Sequence, residues 1–245
     1  MTYLWNTIFY DPIYNALIFI INNITFGDVG FAIILATIVI KFALSPLTKK
    51  SIRSQILMKK MEPEIKQIKK DFPNREDQAR ETLALYKKYG TNPFSGCLVI
   101  LIQLPFIFAL YYVFYKGLSF DPSHIYSFIN IPTNLNNNFL GMFEMHNNHN
   151  IIFAILAGGS QFIQGYFSSP LAPKTEIVKG VEEKKTFQDE LSASMQMNVK
   201  YVLPIFIAFI SYQLSAAVAL YWITSNIFTI AQEWYIRRSL TNNAI

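Results

Sequence analysis

The chain has 245 residues, of which 52% are hydrophobic, 16% aromatic and 15% charged, and its formal net charge is +5. A soluble domain usually carries roughly 25% charged residues, so these charges are too few to clothe a surface that faces water all round. With a mean hydropathy of +0.25 and charges gathered outside a few long apolar runs, the composition excludes an ordinary water-soluble domain and points to a polytopic membrane protein.

In chain order, no Lys or Arg precedes Lys41, so the start lacks the basic region of a secretory signal and reads as mature chain. The apolar residues of 4–21 are interrupted by Asn6, Thr7, Asp11, Pro12 and Asn15. This favours an interfacial amphipathic helix over residues 1–26, with a sixth span as the other reading. Windows of about 20 residues then place five spans at 27–47, 93–115, 151–167, 201–213 and 215–234. The fourth is short, which makes the last two a tight helical hairpin turning at 212–215. The single cysteine, Cys97, excludes an intramolecular disulfide and any metal site built on several cysteines.

The segments between the spans give an orientation, because Lys and Arg collect in cytoplasmic loops. Residues 48–92 hold 12 Lys/Arg against 6 Asp/Glu, residues 168–200 hold 5 against 5, and the tail adds Arg237 and Arg238. Residues 1–25 and the Asn-rich loop 117–150 have neither Lys nor Arg, so the N-terminus and that loop are expected outside and the C-terminus in the cytoplasm. Within 48–92, Met58, Met61, Ile65, Ile68 and Phe72 recur at steps of 3 and 4. After a turn at Pro73 and Asn74, Ala79, Leu83 and Tyr86 resume a stripe, which predicts a cytoplasmic helical hairpin. Pro63 is expected to interrupt its first arm. The hairpin reads either as a solvated antiparallel pair that enforces topology or as a docking surface for anionic partners. Of the histidines, only His146 and His149 are close in sequence, and a structural role is expected for them and for His124.

The polar residues inside the spans carry the functional reading. Lys41 lies in the inner half of the first span, where an ionisable side chain costs roughly 2.5–3.5 kcal/mol on insertion scales and is a functional hypothesis by default; the bland alternative is snorkelling to the interface. Thr37, Lys41, Ser45 and Thr48 follow at helical steps and predict one polar stripe. Gln103 interrupts the second span, Gln161, Gln164 and Ser168 form a stripe on the third, and Ser225, Thr229 and Gln232 form one on the fifth beside Asn226. Unpaired amides cost several kcal/mol in lipid, so these faces should meet one another as interhelical glue or line a shared hydrated cavity. No phosphate-binding loop, HExxH, GxSxG or intramembrane Asp pair accompanies them, so no enzyme and no cofactor are expected.

Three separated stretches resemble the YidC/Oxa-type family of membrane-protein insertases: 41–48 (KFALSPLT), 86–103 (YKKYGTNPFSGCLVILIQ) continuing as LPFIFALYY, and 220–232 (LYWITSNIFTIAQ). The resemblance implies an all-α fold in which five helices surround a hydrophilic groove, open to the cytoplasm and to lipid and closed outside. On that basis residues 27–245 form the insertase core. It implies insertion of substrate helices into the bilayer without nucleotide hydrolysis, with Lys41, Gln103, Gln164 and Trp222 on groove positions and Thr37, Ser45, Gln161, Ser225 and Asn226 beside them. The implied partners are nascent membrane proteins, the lipid bilayer and, alongside, the Sec translocon, the ribosome and the signal-recognition-particle receptor. A bacterial inner membrane and a minimal form without a large outer domain are also implied. Two features depart from the family pattern. Lys41 stands where the family has Arg, keeping the charge and losing the planar fork that grips a carboxylate in two places. Ser215 and Ala217 stand where Pro and Gly are usual. Outside the resemblance, a small-solute transporter or channel lined by the same stripes, or an assembly scaffold with an inert groove, remains open.

Overall fold

Apolar runs bounded by Pro, Gly and Asn fold here as helices. The computed structural model describes residues 2–91, 95–115, 122–168 and 197–242; the expected start of the second span at Pro93 and most of the loop 168–200 lie outside the described residues. A helical turn at Thr2–Trp5 and a π-helical turn at Asn6–Tyr10 lead into α1 (Asp11–Asn23), followed by α2 (Val29–Ala43), α3 (Ser45–Asp71), α4 (Arg75–Lys88) and α5 (Ser95–Tyr115). After the Asn-rich loop come α6 (Ile151–Ser168), α7 (Leu203–Gln213), which is preceded by a π-helical turn at Asn198–Val202, and α8 (Ala216–Asn242). The loop itself holds a two-stranded antiparallel hairpin, β1 (Asn138–Phe139) and β2 (Phe143–Glu144), with Asn138 opposite Glu144. Among the described residues α6 alone is long and apolar enough to cross a membrane by itself. Val29–Ala43 passes that test only jointly with Ser45–Met58, and Gln103–Phe114 is a shorter apolar helix.

The chain divides into two compact units, Met1–Phe42 with Pro105–Gln232, and Ala43–Leu104 with Glu233–Ile245. In the first unit the core collects helical steps of 3 and 4 from several elements. Ile13, Leu17 and Ile21 come from α1, Ala32, Ile33 and Ala36 from α2, Ala109, Leu110 and Val113 from α5, and Ala216, Ala217 and Leu220 from α8. The N-terminal segment, expected as an interfacial helix, turns its apolar face into this core. Asn15, taken in the sequence as an interruption, is 1% exposed and acts as a clamp. Its amide donates to the carbonyls of Asp11 and His124, each at 2.7 Å, and its carbonyl accepts from the Tyr126 N–H at 2.8 Å.

The Asn-rich loop is stitched to helix ends by further contacts of this kind. Asp11 meets His124 Nδ1 at 2.7 Å. Asn136 exchanges backbone bonds with Gly27 and Val29, and the first N–H groups of α8, at Ala216 and Ala217, donate to the carbonyls of Asn147 and Met145. Those N–H groups have no partner within the helix, so the loop supplies one. Gly27 is required at its turn: its φ is +97°, and a Cβ there would stand 2.5 Å from the Asn134 carbonyl oxygen.

The first expected span departs from a single helix. It breaks at Leu44, because Pro46 in the first turn of α3 cannot donate to the carbonyl four residues back and its ring collides with it. The expected stripe is therefore cut: Thr37 and Lys41 lie on α2, whereas Ser45 and Thr48 lie on α3 in the other unit.

In the second unit α3 and α4 form the two arms, joined through Phe72, Pro73 and Asn74. Asn74 caps α4 by accepting from the Glu76 N–H at 3.2 Å. The helix runs through Pro63 rather than restarting there. Met61 is buried as the spacing predicts, but the second arm buries Thr82 and Leu85 and leaves Leu83 57% exposed. Its inner stripe therefore runs through Gln78, Thr82 and Leu85, one residue off Ala79 and Leu83, while the expected Tyr86 is half-buried. Polar latches select that face: Gln78 donates to the Phe72 carbonyl at 2.6 Å, the Tyr89 hydroxyl donates to Glu64, and Ser54 pairs with Thr91.

Asn15→Leu keeps the helix and strips the His124 carbonyl and the Tyr126 N–H of their partner. At about 1–3 kcal/mol for each buried group left bare, a clear fall in Tm in detergent is expected, with protease cleavage appearing near 122–126. The Tyr89 phenol is held above its ordinary pKa of 10.0 first by its hydrogen bond to Glu64. Its contribution to the hairpin is thus fully present below pH 10 and is lost as pH rises through the raised value. Tyr89→Phe should remove a late-titrating phenolate from the alkaline absorbance curve, and an unchanged late phase would refute the contact.

Candidate functional site

The polar residues of the first unit converge on the C-terminal halves of α2 and α6 and the middle of α8. α2 offers a mostly apolar surface in which Thr37 and Lys41, one turn apart, are both buried. Thr37 returns its hydroxyl proton to the Ile33 carbonyl at 2.6 Å, so it needs no partner from outside its own helix. The Lys41 side chain reaches α8, where its Nζ donates to Thr229 Oγ1 at 3.1 Å. Thr229 in turn donates to the Ser225 carbonyl at 2.8 Å. That bond fixes the threonine rotamer and turns its lone pair toward the ammonium group.

One turn back on α8, Asn226 crosses to α6. Its amide donates to Ser160 Oγ at 3.1 Å, and Ser160 donates to the Ala157 carbonyl at 2.9 Å. From there a ladder descends α6: Gln161 donates to Gln164 at 3.0 Å, and Gln164 donates to Ser168 at 2.7 Å. Lys41, Thr229, Ser225, Asn226, Gln161 and Thr37 are all buried, so a cation and a run of amides and hydroxyls sit inside an otherwise apolar bundle. Chemically, such a seam offers hydrogen-bond donors and one positive charge to a polar or acidic segment of chain. Among the described residues no group of three His, Cys, Asp or Glu side chains stands together as a metal site.

α6 also makes the close approach to α7. A Cβ on Gly158 would stand 2.7 Å from the Ala208 Cβ and 3.0 Å from the Pro204 carbonyl oxygen, so only glycine lets the two backbones meet.

Of the residues expected at the site, Lys41, Thr37, Ser225, Asn226, Gln161 and Gln164 lie on α2, α6 and α8 in this one unit, and Trp222 is half-buried on α8 one turn before Asn226. Gln103, half-buried on α5, and Ser45, at the start of α3, belong to the second unit. Sequence reasoning missed Ser160 and gave Thr229 only a place in a stripe. Ser160 was signalled by its neighbours Gly158 and Gly159, since small residues mark where a facing helix comes close enough for a short side chain to be reached.

Thr229→Val preserves shape and removes this acceptor from Lys41. Interhelical hydrogen bonds in membrane proteins average about 0.6 kcal/mol and reach about 1.7, so a Tm change of a few degrees is expected. Thr229→Ser should restore the wild-type value, and a Ser variant as unstable as Val would show that the methyl group matters rather than the hydroxyl.

The sequence model of the family described as 60Kd inner membrane protein matches residues 20–243. Among curated relatives, the membrane protein insertase YidC of Clostridium tetani is 34% identical over 204 residues, covering 83% of this chain and 79% of that one. The membrane protein insertase YidC of Fusobacterium nucleatum is 32% identical over 213 residues, covering 86% and 87%. A crystal structure described as an active YidC insertase with its first transmembrane domain resolved aligns at a TM-score of 0.56 and 24% identity. It covers 92% of this chain, which spans 46% of that longer one. The match over nearly the whole length, with a shared helical fold, shows that this chain belongs to the 60Kd inner membrane protein family.

Proposed function

We propose that the protein is a membrane-protein insertase of the bacterial inner membrane, guiding substrate helices from the cytoplasm into the bilayer along the seam that contains Lys41. The observation that carries this reading is the buried Lys41 ammonium, held by Thr229 of a second helix and continued by Asn226, Ser160, Gln161 and Gln164. The finer architecture is part of the proposal. Residues 27–245 supply an insertase core of five spans around a hydrophilic groove, the N-terminus lies outside, and the C-terminus and the α3–α4 hairpin lie in the cytoplasm. Trp222 lines the groove.

Bilayer energetics gives the mechanism. A substrate's polar or acidic tail must cross hydrocarbon before its apolar helix settles, at roughly 2.5–3.5 kcal/mol for each central Asp. A wet cationic groove shortens that dry path, and Lys41 offers the tail a partner on the way. The substrate helix then leaves sideways into lipid. About 20 apolar residues at roughly −0.3 to −0.6 kcal/mol each supply about −6 to −12 kcal/mol, enough to drive the step without nucleotide hydrolysis. No substrate bond is made or broken, so the activity is that of a chaperone and not of an enzyme. Nascent membrane proteins and the lipid bilayer are the direct partners; the basic α3–α4 hairpin is suited to the Sec translocon, the ribosome or the signal-recognition-particle receptor.

The test is insertion of a single-span reporter with an acidic tail into liposomes holding the purified protein, scored by protease protection. Lys41→Leu should reduce insertion of the acidic reporter several-fold while an uncharged, more apolar reporter is largely spared, and Lys41→Arg should retain activity on both. Equal loss for both reporters would sink the charge-attraction account, and no protein-dependent protection with either would sink the insertase reading.

A further inference from the structure

Where α6 ends and the chain enters α7, Lys200 stands between two tyrosines. Its Nζ lies 4.6 Å from the ring centre of Tyr166 on α6 and 5.4 Å from that of Tyr201 beside it. The neighbouring backbone explains the placement. The chain around Lys200 is a π-helical turn, Asn198–Val202, seated tightly on α6: a Cβ on Gly165 would stand 3.0 Å from the Val199 carbonyl oxygen. Phe162 of α6 also reaches the Tyr201 ring at 6.1 Å. The ammonium group is thus held against one wall of two rings and has no ion-pair partner among the described residues. Both tyrosines are exposed, and the same two helices continue away from Lys200 as an exposed apolar face with Phe162, Ile163, Ile205, Phe206 and Phe209.

We infer that Lys200, Tyr166 and Tyr201 form a site for the phosphate of one anionic phospholipid of the inner leaflet, its acyl chains lying on the apolar face of α6 and α7. Charge complementarity commits the site to an anion. A cation with no carboxylate partner among the described residues is complemented by a phosphate at the membrane surface, and aromatic rings with an apolar body and a polar hydroxyl settle at headgroup depth. The rings restrict the lysine to few rotamers, so less freedom is lost when a phosphate binds than for a lysine on an open surface. The continuing apolar face selects a lipid over a free anion, since soluble phosphate gains nothing from Phe206 or Phe209. The inference rests on the membrane placement proposed above and not on substrate insertion.

The experiment uses the full chain in nanodiscs of phosphatidylcholine with a rising fraction of phosphatidylglycerol, followed by native mass spectrometry of the lipid that stays bound after mild delipidation. Wild type should retain phosphatidylglycerol over phosphatidylcholine at least three-fold beyond the input ratio. Lys200→Gln should lose that preference, Lys200→Arg should keep it, and Tyr166→Leu combined with Tyr201→Leu should weaken it with Lys200 in place. Equal retention of the two lipids by wild type would overturn the inference, as would undiminished preference in Lys200→Gln or displacement of the bound lipid by millimolar glycerol phosphate. Reporter insertion measured on the same preparations separates the two proposals: wild type that inserts substrate without any headgroup preference refutes only the lipid site, and preference without insertion supports the site while counting against the insertase reading.

Discussion

An ammonium group buried between apolar helices has to be held by polar atoms, and that requirement organises the first unit. Lys41 meets it in part from a second helix. Thr229 meets it from α8. Once α8 is turned to present Thr229, Ser225 and Asn226 share its inner side, and Asn226 must find a partner on α6. The polar seam is made of the runs Lys41–Thr229, Asn226–Ser160 and Gln161–Gln164–Ser168; the first two depend on the rotation of α8, and the last is internal to α6.

The Asn-rich loop performs the complementary task. Its backbone groups pair with the Asn15 side chain inside α1, through His124 and Tyr126, and with helix ends, where Gly27 pairs with Asn136 and Asn147 with Met145 serves the start of α8. Backbone groups at those ends would otherwise be left bare against apolar surroundings, at about 1–3 kcal/mol each. Among the loop's Asn side chains, Asn150 serves a helix end directly, its carbonyl accepting from the Ile152 and Phe153 N–H groups at 3.1 and 3.2 Å. The histidines differ: His124 pairs with Asp11, His149 packs edge-to-face with Tyr212, and His146 packs edge-to-face with Phe114 while its ring nitrogens are buried without a hydrogen bond among the described residues.

Close approach of helices sets the remaining geometry. Gly158 lets α7 sit against α6 at a distance that a methyl group would forbid, and Gly165 admits the π-helical entry at one that a methyl group would crowd; the pair then exposes an apolar face of Phe, Ile and Tyr side chains. The second unit gains its definition differently. Its arms carry many charges, and side-chain latches such as Tyr89 to Glu64 and Gln78 to Phe72 choose the inner face where apolar periodicity was too weak to do so.

The sequence by itself determined the class of protein, the approximate extent of α6, α7 and the α3–α4 hairpin, and the polar residues that had to be paired. These follow from composition and from helical periods of 3 and 4, which are local properties of the chain. The tertiary structure decided which polar residues meet. The distance from Lys41 to Thr229 spans 188 positions, Asn15 works only because residues 124–126 return to it, and Ser160 became a partner only through α8. It also cut the expected stripe at Leu44, where a proline two residues later ends one helix and starts another, and it shifted the inner face of α4 by one residue. Each of these outcomes is a long-range pairing or a choice between nearly equal local faces, and neither is encoded in the periodicity of a single segment.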